Sequence, residues 1–222
     1  MGWLSGAIAV LAKDVQLERR SRYALNTLLL FAVSSLLIVA FAIGGAPLST
    51  GLRSVILWII ILFSAIAGLS HAFVSEEERG TILLLQLNAT ASAVFVGKLL
   101  FNLGLSLLMN TVVAVMFAVV LGFGEANVPA LAAILLLGAI GLSGATTLIS
   151  AIIARTPNKG PLFAVLSFPI LVPLLVSVVG GTTKALEGGG IADVFAELST
   201  LVGYAGMVIT ASVLLFDYLW RD

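Results

Sequence analysis

Cysteine is absent from this 222-residue chain and histidine occurs once. The first absence excludes disulfides and thiolate metal centres, and one histidine supplies fewer ligands than metal-assisted hydrolysis normally needs. Charge is scarce as well: Asp, Glu, Lys and Arg make up 10% of residues, against about a quarter in soluble domains. The 11 basic and 11 acidic residues cancel, so no excess of one sign points to nucleic acid or an acidic partner. A phosphate-cradling Walker A loop is also missing, because Gly97-Lys98 lacks both the earlier glycine and the following Ser or Thr. If ATP drives this protein, another chain must hydrolyse it.

What fills the chain instead is apolar: 60% of residues are hydrophobic and the mean hydropathy is +1.19. A membrane-crossing helix needs about 20 such residues, since each rises about 1.5 Å through a hydrocarbon layer about 30 Å thick. Six segments meet this: about 24–43, 54–74, 99–123, 128–154, 161–180 and 199–219. The breaks GGAPLSTG, GFGEANVP and RTPNKGP separate them. The expected fold is an all-α membrane protein, one integral membrane domain over 1–222 with no soluble domain.

Lysine and arginine set the orientation. Lys13, Arg19, Arg20, Arg22, Arg79, Lys98, Arg155, Lys159 and Arg221 fall on one side, and only Arg53 and Lys184 of the 11 on the other. Both termini are therefore expected in the cytoplasm. The opening MGWLSGAIAVLAKDVQLERRSR places its charges after a short apolar stretch, the reverse of a cleavable signal peptide. Leu4, Ile8, Leu11 and Val15 share one helical face, so residues 1–22 read as an amphipathic helix lying in the interface, with Asp14 and Glu18 flanking the apolar stripe.

The stretch Ser75-Glu76-Glu77-Glu78-Arg79-Gly80-Thr81 interrupts two membrane-length runs. Ser75-x-x-Glu78 has capping-box spacing, which would place the carboxylates in a first helical turn. Gly80 permits a bend, and TILLLQLN supplies a short apolar helix that must bury its leucines in the interface or on another protein. The expectation is a structured cytoplasmic elbow over 75–91.

At these residues a resemblance emerges. SEEERGTILLLQLNATASAVFVGKLLFN resembles the E-x-G-T-(L/I)-x-x-L-L segment of type-2 ABC exporter permeases, and more closely the heme exporter protein B (CcmB) family of cytochrome c maturation. LAKDVQLERRSR resembles that family's K-D-x-x-x-E-x-R opening, and GKLLFN and LEGGG fit as well, so the likeness covers essentially the whole chain. It implies a permease subunit of the bacterial inner membrane, not catalytic alone, whose coupling helix between spans two and three docks on a separate ABC ATPase. Glu76, Glu77, Glu78 and Arg79 would be polar contacts, Gly80 the bend, and Thr81, Ile82 and Leu83 the start of the docked helix. It also implies a tryptophan-rich heme-handling membrane protein and a heme chaperone as partners, heme as cargo, ATP used by the partner, and paired membrane subunits or a homodimer. Two other readings share these residues: a permease for a drug, lipid or polysaccharide, and a membrane assembly scaffold that transports nothing.

Other candidates are read structurally. His71, one turn from the elbow, reads as interfacial rather than as a heme ligand. Ser143 in GLSG has no suitable base for serine chemistry. The small residues of GAIGLSGATT, with Gly104 and Ser106, are expected at close helix contacts, and Asn102 and Asn110 bond across to a neighbouring helix. Pro161, Pro169 and Pro173 make the fifth span irregular, with Pro169 and Pro173 a candidate hinge. IADVFAEL reads as a separate short helix on the outer surface.

Overall fold

The computed structural model describes residues 3–69, 71–154 and 159–221, and among these the chain forms helices and no strand. In chain order they are α1 (Trp3–Ser21), α2 (Tyr23–Ile43), α3 (Thr50–Leu69), α4 (His71–Glu78), α5 (Ile82–Asn88), α6 (Ala91–Val120), α7 (Val128–Ala154), α8 (Lys159–Leu186) and α9 (Phe195–Arg221). Six stretches are long and apolar enough to cross a membrane: α2, the α3–α4 stretch, α6, α7, α8 and α9. Arg155 in the RTPNKGP break and the side chain of His71 lie outside the described residues.

The bundle is built around α7, which packs on α3, α4, α6, α8 and α9. A helix in that position must be slim, and the glycines of GAIGLSGATT make it so. A methyl group at Gly138 would come within 2.3 Å of the Trp58 ring, and one at Gly141 within 2.7 Å of Leu174. Trp58 is buried by this contact, and its indole Nε1 donates to Thr182 Oγ1 of α8 at 2.8 Å, so its polar edge is satisfied inside the bundle. Asn102 and Asn110 of α6 both bond to α7, through Thr147 Oγ1 at 2.8 Å and the Leu135 carbonyl at 3.1 Å. Gly104 departs from expectation: nothing lies within 4 Å of where its Cβ would stand, so it marks open space rather than a close contact.

Pro169 and Pro173 sit four residues apart on an exposed face of α8, which stays helical through both. Between them the Ile170 carbonyl accepts from Tyr204 Oη of α9 at 2.8 Å, tying the proline stretch to its neighbour. At the far end α8 stops at Gly188, φ +86°, whose N–H and that of Gly189 bond back to Ala185 and Lys184. This compact glycine turn replaces the expected separate helix over IADVFAEL: residues 191–194 are turn, and α9 begins at Phe195. The reason is local. Asp193 Oδ2 accepts from the Gly190 N–H at 2.8 Å, which holds the chain in a turn before the apolar run starts.

A Gly138→Val substitution should overpack the α3–α7–α8 contact and cost about 1–3 kcal/mol. Thermal unfolding of the purified chain checks it. Combined with Trp58→Leu, the loss should be smaller than the two single losses added, because both act on the same contact.

Candidate functional site: a charge-clamped elbow

Segments far apart in sequence meet at one end of the bundle. There α1 lies along the beginning of α6, and contact is close because Gly97 has no side chain: a Cβ would fall 2.8 Å from the Ala7 carbonyl oxygen and 2.7 Å from Val10 Cβ. The next residue, Lys98, is 1% exposed, and its Nζ donates to Asp14 Oδ2 of α1 and to Glu76 Oε1 of α4, each at 3.0 Å. Lys13 completes the set, bonded to Glu76 Oε1 and 3.4 Å from Asp14 Oδ1. The ammonium group of Lys98 also lies 5.5 Å from the centre of the Phe73 ring, an attractive cation–π distance. Two positive and two negative groups thus neutralise one another where α1, α4 and α6 converge.

The elbow itself is a helix end followed by a short helix. Gly80 adopts φ +67°, its N–H bonds to the Glu77 carbonyl, and the Thr81 N–H bonds to the Glu76 carbonyl at 2.9 Å. Those two bonds with a left-handed glycine constitute a Schellman stop. Thr81 Oγ1 also donates to Glu76 Oε2. The capping-box expectation is therefore corrected: Ser75 lies inside α4, and the three glutamates end a helix instead of starting one. The negative end of a helix dipole disfavours carboxylates. Glu76 is compensated there by Lys13 and Lys98, while Glu77 faces solvent.

Beyond the stop, α5 divides its leucines. Leu85 packs against a cluster that includes Val10, Phe73, Phe95 and Phe216. Phe216 holds Phe73 and Phe95 at ring-centre distances of 5.0 and 5.2 Å, and Gln86 Nε2 donates to the Trp220 carbonyl at 3.0 Å. Leu83, Leu84 and Leu87 point the other way and are 69%, 61% and 82% exposed. Thr81 and Ile82 are half-buried, and Glu77, Glu78, Arg79 and Gly80 are exposed. Of the residues expected to act as polar surface contacts, Glu76 is the exception, turned inward at 4% exposure.

The corner between α1 and α2 is equally determined. Arg22 takes a left-handed conformation, φ 51°, and Glu18 Oε1 accepts from the Leu25 N–H at 2.8 Å, capping the first turn of α2. Sequence reasoning used Lys13 and Lys98 only to orient the chain, and treated Asp14 as a blemish on an apolar stripe. The signal that could have found them is the acid at position 14 facing the same way as Ala7 and Val10, the buried side of α1. The apolar face read from the sequence is the other one: Leu4, Ile8 and Val15 are exposed.

Six apolar helices in one bundle define a multi-pass membrane protein. The family model described as CcmB protein matches residues 5–218, and the chain belongs to that family, the heme exporter protein B family of transporter permease subunits in cytochrome c biogenesis. No curated protein matches it. Three of the stretches that carry the family likeness, LAKDVQLERRSR, SEEERGT and GKLLFN, supply Lys13, Asp14, Glu76 and Lys98, while the fourth, LEGGG, does not.

Lys98→Met should leave two buried carboxylates short of a counter-charge and cost about 3–5 kcal/mol. Adding Asp14→Asn and Glu76→Gln should recover most of that loss. Denaturant unfolding, with amide exchange of α1 as local readout, checks both. Unchanged protection of α1 in Lys98→Met would contradict the clamp.

Proposed function

We propose that the chain is the membrane permease of an ABC-type complex in heme export and cytochrome c maturation, and that α4, the Gly80 turn and α5 are the handle on which a separate ATPase acts. The observation that carries this is α5: three leucines on a short helix, exposed at the end of the bundle, on an elbow whose base is locked by buried charges. A helix that only connected two spans would gain nothing by exposing them, whereas burying each in a groove contributes about 1.5–3 kcal/mol. Glu77, Glu78 and Arg79, with Gly80 as the bend, would form the polar rim, and Thr81, Ile82 and Leu83 the start of the docked helix.

In this reading the elbow and both termini face the cytoplasm of a bacterial inner membrane, consistent with the basic residues gathered at that end. ATP hydrolysis in the partner changes the separation of its domains. The elbow passes that change to α3 and α6 as a rigid-body shift, and the Lys98 clamp carries α1 with them. Pro169 and Pro173 make α8 the span most readily bent by such a shift. Heme is cargo or is handled by a tryptophan-rich membrane partner, and the movement releases a heme-loaded chaperone. The complex contains two membrane subunits, two copies of this chain or this chain with another.

Leu83→Glu with Leu87→Glu should weaken co-purification of the ATPase by at least about tenfold, roughly 1.4 kcal/mol, while membrane insertion is retained. Glu77→Lys should weaken it less. Full recovery of the ATPase with the folded double variant would remove the handle from α5.

A further inference from the structure

An apolar groove of about 240 Å³ runs along the outside of the bundle where α1, α2 and α6 meet. Leu11 and Val15 of α1, Leu25 of α2, and Leu100, Gly104 and Leu108 of α6 form its walls, and Glu18 and Arg19 close one end. Leu11, Val15 and Arg19 are successive turns of one α1 face, the continuation of the exposed stripe of Leu4 and Ile8. On α6 the groove extends from Leu100 to Leu108, about 12 Å at helical rise. Its depth comes from Gly104, whose missing side chain leaves open space.

Two observations select the occupant. The α2 and α6 walls belong to membrane-crossing helices, so the groove opens to hydrocarbon. At its charged end the balance is net positive. Glu18 and Arg19 line the groove, with Glu18 accepting from the Leu25 N–H, and Arg20 and Arg22 follow in the chain. Arg19, Arg20 and Arg22 are exposed with no carboxylate partner among the described residues, so cations outnumber the one acid three to one at this corner. An apolar slot with a cationic rim matches an amphiphile with an anionic head. We propose that the α1–α2–α6 groove holds an acyl chain of an anionic phospholipid whose phosphate lies against Arg19. The lipid joins α1 to the two spans beside it, on the side of α1 away from the buried charge clamp.

Native mass spectrometry of the full chain, released from micelles doped equally with phosphatidylglycerol and phosphatidylcholine, tests this. The wild-type chain should retain phosphatidylglycerol over phosphatidylcholine by at least about fivefold, and Arg19→Gln should lower that preference by about fivefold. Gly104→Leu, which enters open space, should reduce retention of both lipids while helicity by circular dichroism is unchanged. Equal retention of the two lipids by the wild type would overturn the proposal. So would Gly104→Leu or Arg19→Gln behaving as wild type, or a bound protein mass, a second copy or a partner, lost from Gly104→Leu in place of a lipid mass.

Discussion

Charge neutralisation among buried side chains governs this end of the molecule. Lys98 is as buried as any leucine of the core, and an ammonium group there is tolerable only with carboxylates held at hydrogen-bond distance. Those carboxylates come from two other helices, so the requirement is met only when α1, α4 and α6 are all in register. Shape adds to it. Gly97 lets α1 settle onto α6 to a depth that no side chain would permit, and that depth brings Asp14 to Lys98. The pair Gly97-Lys98, empty as a nucleotide motif, is a seat and a bolt for another helix.

The rest of the bundle is held differently. Around α7 the contacts are those of a membrane interior, where lipid tails are as apolar as leucine and close packing and buried hydrogen bonds provide the cohesion. Gly138 and Gly141 admit Trp58 and Leu174, and Asn102 and Asn110 bond α6 to α7 at two levels. The molecule therefore joins a tightly packed membrane interior to an electrostatically latched end, and it is the latched end that presents α5 outward.

Much of the fold was legible because it follows from apolar length. The six spans, their breaks and the bend at Gly80 come straight from composition, helical rise and the freedom of glycine. The asparagines were legible too, since a polar group in an apolar helix must find a partner. What could not be read was anything set by the approach of distant segments. SEEERGT looks like a helix beginning because serine and glutamate have capping-box spacing, yet the apolar run before it continues as α4 to Glu78, and tertiary partners overrode the local signal. Asp14 looked like a flaw in an amphipathic helix until Lys98 was placed opposite it. The stripe of Leu4, Ile8 and Val15 is exposed, and the side of α1 that packs on the protein carries Ala7, Val10 and Asp14, where the acid disguises a buried face.

The length of α6 has its own consequence. At 30 residues it is about 45 Å long, half as long again as the hydrocarbon layer is thick. Lys98 falls in its second turn, so under the proposed orientation the latch would grip the overhanging part of an uninterrupted rod. If the proposed ATPase pushed such a rod at its overhang, the opposite tip, at Leu121 and Gly122, would swing in the contrary direction. Displacement on one side of the membrane would thus be delivered reversed on the other, without any helix having to unwind.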